Sequence, residues 1–141
     1  DKVMIEAEIP LPHLISESAW PSQYVSNIAC QPAGVFYGPQ VVSMRPIPKD
    51  LLVKVIELTS RFPRSHGAPL HVGDPAAIGI DNLDDVIWGK PNVVGPDQVT
   101  AFGACGITAQ AVACEIGIPE MITHKPGHMF VTDLAVVDPV R

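Results

Sequence analysis

The backbone between Ser60 and Pro75 has few shapes open to it. Its sixteen residues, Ser-Arg-Phe-Pro-Arg-Ser-His-Gly-Ala-Pro-Leu-His-Val-Gly-Asp-Pro, contain three prolines and two glycines. Proline holds φ near about −65° and glycine permits φ > 0, so a helix or strand arriving at either end must stop there. A loop braced in this way aims its side chains in set directions, and such loops are where sites tend to be built. Here the side chains include Arg61, Arg64, His66, His71 and Asp74, in a chain of which only 17% is charged. The stretch reads as a site and not as a linker.

Short strand-like and helix-like runs flank it, and together they predict an α/β fold, a mixed sheet with helices packed on it as a layered α/β sandwich. Residues 1–30 read as an irregular N-terminal segment, the edge of a truncated domain, and residues 31–141 as the α/β domain itself. Val35 to Met44 has strand composition, bent or started late by Gly38-Pro39 and closed by Arg45-Pro46-Ile47-Pro48. Lys49-Asp50 opens an amphipathic helix, with Leu51, Leu52, Val55, Ile56 and Leu58 on one face and Phe62-Pro63 as its stop. Ala68 to Val72 predicts a short buried strand, and Gly73-Asp74-Pro75 a helix start. Asn82 to Gly95 reads as an acidic surface excursion in which Trp88 is a lid or an anchor; Trp20 reads as a core plug. Val99 to Phe102 predicts a strand and Ala109 to Ile116 a helix, with Cys114 in the core. Met121 to Thr123 and Met129 to Val137 predict two further strands.

Bulk properties narrow the function classes. With 47% hydrophobic residues and a mean hydropathy of +0.24, there is enough apolar material for a core, which argues against disorder. No apolar run approaches the roughly 20 residues of a membrane helix, so no membrane partner is expected. The net charge is −6 and the nine Lys and Arg residues are scattered, which argues against a nucleic-acid partner. Three cysteines, widely spaced and without a Cys-x-x-Cys, fit a reducing compartment. The chain opens at Asp1 with neither a charged n-region nor an apolar h-region, as a processed protein or an excised fragment would.

Each candidate site residue has a functional and a plainer role. Arg45 at a strand end and Arg61 at a helix end could clamp a carboxylate bidentately, or form surface ion pairs. Asp74 is a helix N-cap or a catalytic carboxylate. Gly103 to Thr108 carries a strand into a helix, which sets Cys105 where free N–H groups and the helix dipole favour an anion. There Cys105 could be a nucleophile or an acid, or an inert buried thiol, and Thr108 could cap the helix or touch a ligand. His124 and His128 lie on either side of a Pro-Gly turn and could converge at one end of the sheet, with Asp133 orienting one imidazole or facing water. His66, His71, His124 and His128 have enough nitrogens for zinc, but their spacing matches no helical zinc signature.

Three motifs, Ser60 to Pro75, Ala104 to Thr108 (Ala-Cys-Gly-Ile-Thr) and Thr123 to Asp133 (Thr-His-Lys-Pro-Gly-His-Met-Phe-Val-Thr-Asp), closely resemble the D-glutamate cyclase family. Asn27-Ile28 and Val41 to Pro48 add to the match, which runs from near Pro10 to about Asp133 and resembles the C-terminal half of the family's longer polypeptides. The chain departs from the family pattern at Gly103, where Trp is usual, at Ala109, where Pro is usual, and at Lys125, where a small residue is usual. The resemblance implies a hydro-lyase that closes D-glutamate to 5-oxo-D-proline and water, without a cofactor. It implies a small-molecule carboxylate substrate, and contact with a second copy or with the segment that precedes this half in the family. The departures at Gly103 and Ala109 lean toward a eukaryotic, mitochondrial-matrix member; a bacterial one would be cytoplasmic. For that reaction, Arg61 or Arg64 with Gly106 to Thr108 would hold the carboxylates, and His66, His71, His124 or His128 would supply the base and acid. A metal-binding or non-catalytic carboxylate-binding domain is the alternative.

Overall fold

The computed structural model describes residues 1–15, 20–128 and 130–133. Its order is α1 (Lys2–Glu6), α2 (Pro12–Ile15), β1 (Ser22–Ala29), β2 (Pro39–Pro48), α3 (Leu52–Ser60), β3 (His71–Val72), β4 (Gln98–Ala104) and α4 (Thr108–Glu115). The strands form one sheet in the order β1-β2-β4-β3. This is the expected α/β class, but every pairing among the described residues is antiparallel where a mixed sheet was expected. No helix among these residues is long and apolar enough to cross a membrane.

β2 starts at Pro39, as the bend at Gly38 suggests, and then runs on through Pro46 and Pro48. Two prolines are tolerated because β1 pairs with β2 only up to Met44, so the N–H that each proline lacks falls where no strand lies on that side. The other side of β2 stays in register with β4, Arg45 opposite Ala101 and Pro46 opposite Thr100.

Alternation along the strands sorts the core into two layers. Val42 and Met44 of β2, Tyr24 of β1 and Phe102 of β4 share one face, packed against Ile78 and Ile80 of the segment between β3 and β4. Tyr24 and Phe102 meet edge to face with centroids 6.4 Å apart, and the Tyr24 hydroxyl donates to the Leu83 carbonyl at 2.8 Å. Arg45, Ile47, Ala101 and Gly103 share the opposite face. There Ile47 and Ala101 pack with Met4, Ile9, Leu11 and Val55, so α1 and α3 form the cover.

The first thirty residues, expected to be irregular, therefore supply two short helices, an edge strand and part of the core. In β1, Ser26 and Asn27 separate the adjacent Tyr24 and Val25 from Ile28, and a register shift between Val25 and Ala29 breaks the alternation that would have betrayed the strand. The expected buried strand at 68–72 is only His71–Val72, half-buried at the sheet edge. The helix start at Asp74-Pro75 is present: the Ala76 N–H donates to Asp74 Oδ1 at 3.0 Å. It makes a single 3-10 turn, Pro75–Ile78, which Gly79 ends at φ 75°. Met121 to Thr123 form no strand. They run exposed beside α4, where the Gln110 amide donates to Thr123 Oγ1 and to the His124 carbonyl. Of the expected strand from Met129 to Val137, residues 130–133 are not strand, and Met129 and 134–137 lie outside the described residues.

The tryptophans have peripheral tasks. Trp88 anchors its loop, its carbonyl accepting the Gln23 N–H at 3.0 Å. Trp20 is 39% exposed, no core plug. Its ring lies under the Gly127 turn, where an added Cβ would come within 2.8 Å. Cys114 is exposed, and its neighbours Val112 and Ala113 take the core positions of α4 instead.

Candidate active site

On the face covered by α1 and α3 lies a cavity of about 370 Å³, within the size range of small-molecule sites. Ile47, Val55, Met4 and Ala101 form its apolar walls, and Asp1, Lys2, Arg45 and His66 bring the ionisable groups. The strand register explains Arg45: a residue opposite Ala101 must project toward α1. Its Nε donates to Asp1 Oδ1 at 2.8 Å, and its Nη2 approaches the same oxygen at 2.8 Å. The other oxygen of Asp1, Oδ2, lies 3.0 Å from Nε2 of the fully buried His13. An ionised carboxylate only accepts, so His13 Nε2 carries the proton.

The side chains of this network supply one cation, Arg45, and one anion, Asp1, and the α-amino group of Asp1 lies near enough to act on His13 and His66. Burial, with the Arg45 charge adding to it, pushes the His13 pKa down to about 4, so its ring is neutral near pH 7. Burial also brings Arg45 down to about 10, against an opposing influence from the Cys105 thiol, and it stays protonated. With Nε and Nη2 directed at Asp1, the remaining edge of the guanidinium, Nη1, is turned toward Gly103. A Cβ at that position would stand 3.9 Å from Nη1.

His66 enters from the braced loop. The Ser65 and Gly67 N–H groups both donate to the Phe62 carbonyl, at 2.9 and 3.1 Å, and curl the chain into a tight turn. That turn puts His66 at φ 80°, a conformation strained for a residue with a Cβ and one that clusters at functional sites. Nδ1 lies 2.6 Å from the Ala104 carbonyl. A carbonyl cannot donate, so the proton is on Nδ1 and the Nε2 lone pair is open. The ring keeps an exposed flank yet is crowded by protein. Its pKa is lowered, by burial first and by the Arg45 charge, with the Ala104 hydrogen bond opposing both.

Of the residues singled out in the sequence, the structure brings Arg45 and His66 to one cavity, with Cys105 close enough to act on the Arg45 charge. It does not gather the others there. His71 pairs in register with Phe102 and so lies on the opposite face of the sheet from Arg45. Its ring packs on Phe102 at 5.9 Å and its Nε2–H donates to the Asp74 carbonyl at 2.8 Å. Asp74 caps its 3-10 turn. Arg61 closes α3, and both Arg61 and Arg64 are exposed. Gly106 faces open space. His124 Nδ1 turns to the Lys125 carbonyl at 2.9 Å, and His128 Nδ1 to that of Pro126 at 3.2 Å. Among the described residues no three His, Cys, Asp or Glu side chains come together as a metal would need, so the four histidines are not a zinc set.

Thr108 ties α4 to the sheet: its hydroxyl accepts from the Val41 N–H at 3.0 Å and donates to the Val41 carbonyl at 3.2 Å. Thr108→Val is expected to lower unfolding free energy by about 1–2 kcal/mol in a denaturant titration, and to leave ligand affinity unchanged.

Asp1 and His13 were missed. Asp1 precedes an apolar pattern at Val3, Met4 and Ala7, which is an N-cap signal, and its carbonyl does accept from Met4 and Ile5 at 2.9 Å. Its side chain makes no cap bond and pairs with Arg45 instead, a choice that no local pattern encodes.

Residues 1–133 match the family model described as D-glutamate cyclase. A protein named "Putative hydro-lyase" in Thermoanaerobacter sp. is 51% identical over 134 residues, which is 95% of this chain and 50% of the relative. A Nocardioides sp. protein of the same name is 45% identical over 134 residues, 95% of this chain and 49% of its own. One from Bacillus pumilus is 49% identical over 126 residues, 89% and 48% respectively. The chain thus spans about half the length of the curated relatives it matches. These relatives are bacterial and give no support to a mitochondrial setting.

Proposed function

Because the chain belongs to the D-glutamate cyclase family, we propose that its cavity is a hydro-lyase site which closes D-glutamate to 5-oxo-D-proline. The observation that carries this reading is the pairing, in one small cavity, of a half-buried guanidinium with an open edge and a neutral imidazole with an open lone pair. Arg45 Nη1 binds a substrate carboxylate. His66 Nε2 takes a proton from the α-ammonium, and the freed amine attacks the side-chain carboxyl carbon.

As the C–N bond forms and a C–O bond breaks, both protons that the ammonium gives up leave on the expelled oxygen as water. His66, protonated in the first step, returns one of them. Ring closure holds the nucleophile beside its target, so no covalent enzyme intermediate is required and Cys105 has no step to perform. The Ala104 hydrogen bond fixes the His66 ring while the proton moves. The setting this reading takes is cytoplasmic, in keeping with the bacterial relatives.

The test is incubation of the full-length protein with D-glutamate and with L-glutamate. Release of 5-oxo-D-proline, lost in Arg45→Met, is the expected result. No lactam from either enantiomer would remove the reading.

A further inference from the structure

Asp1 is more than a counter-ion. An ionised carboxylate has about four lone-pair positions, and three N–H donors approach this one, from Arg45 Nε, Arg45 Nη2 and His13 Nε2. Its side chain is 26% exposed and lines the cavity. Beside it, among the described residues, Arg45 Nη1 faces no acceptor. An anionic edge with spare capacity and a cationic edge with unused N–H groups therefore lie together on one wall. The pair is neutral, and His13 and His66 add no charge near pH 7. Lys2 also lines the cavity and the α-amino group of Asp1 stands near it, but on this wall a ligand with adjacent ammonium and carboxylate groups meets both of its opposites.

We propose that Asp1 and Arg45 form a receptor for the α-amino acid head of the ligand, Asp1 taking the ammonium and Arg45 Nη1 the carboxylate. The proposal rests on the reading of this cavity as the D-glutamate site, and gives it a selection rule: the ligand must carry the amino group. Two groups hold the receptor in shape. His13 holds Oδ2, and Arg45 holds Oδ1 through two N–H groups, so the Asp1 carboxylate cannot turn away when a ligand is absent.

Calorimetric titration of the full-length protein with D-glutamate and with glutarate, which is the same skeleton without the amine, tests it. The wild type is expected to bind D-glutamate at least about tenfold more tightly, the worth of one charge-assisted hydrogen bond. Asp1→Asn should bring the two affinities within about threefold of each other, chiefly by weakening D-glutamate. Equal loss of both ligands would mean that Asp1 only positions Arg45, and would overturn the proposal. So would a wild type that shows no preference, a result that decides the matter even if the variant does not fold. Neither arm reads turnover, so a protein that shows the preference but forms no lactam refutes the cyclase reading alone.

Discussion

His66→Asn is expected to lower D-glutamate turnover by about 10²–10⁴-fold while leaving the fold intact. Asn is chosen for a physical reason. It tolerates a positive φ better than almost any other residue with a side chain, and position 66 sits at φ 80°. Its amide can still donate to the Ala104 carbonyl, which His66 Nδ1 engages at 2.6 Å. What Asn lacks is the second nitrogen, whose lone pair is the proposed base. A thermal melt should show the variant at least as stable as the wild type, because strain of about 1 kcal/mol or more is relieved.

The pH profile gives an independent reading of the same group. Burial holds the folded pKa of His66 below the ordinary value of about 6.5. The active, neutral form therefore persists to more acidic pH than a solvated imidazole would allow. Wild-type kcat/KM should be level near neutrality and fall on acidification, with its inflection below 6.5. Residual activity in His66→Asn should lack that inflection. Turnover within tenfold of wild type would take the base role from His66.

How much of this could be read in the chain depended on the range of the interactions involved. The braced loop was legible because proline and glycine act on their own backbone: Phe62-Pro63 stops α3 and Asp74 caps the turn at Pro75, as local chemistry requires. Arg45 was marked as a carboxylate clamp on composition and place in the chain, and the register of β2 against β4 gives the reason it faces the cavity. His71 shows the opposite case. It is five residues from His66 and looked equivalent, yet pairing with Phe102 sends it through the sheet to the other face. No property of the loop separates the two histidines, because the separation is made by β4, some thirty residues away. Asp1 and His13 failed for the same reason in reverse. Their segment has a weak period and two prolines, Pro10 and Pro12, and becomes ordered only by docking Met4, Ile9 and Leu11 onto the sheet.

His13 is also where the site's tolerance of acid is decided. Its pKa is about 4 in the folded state and about 6.5 in an unfolded chain. Between those values the unfolded chain binds a proton that the native protein refuses, so stability rises with pH across the window. The contribution is present in full above about pH 6.5 and is lost as pH falls toward 4. The shift from 6.5 to about 4 corresponds to a loss on the order of 3 kcal/mol, or about 10 °C in Tm for a chain of this size. His13→Gln keeps an N–H to offer Asp1 Oδ2 and cannot titrate. Its melting temperature should therefore change much less than that of the wild type between pH 6.5 and 4, leaving only the carboxylates to respond. The Asp1 carboxylate does not cancel the effect, because a charged His13 would be a second buried cation beside Arg45, with one anion to share between them. Parallel pH dependence in the two proteins would place the acid sensitivity elsewhere. A flat Gln variant would tie the integrity of the carboxylate-binding wall to one buried imidazole that touches no ligand.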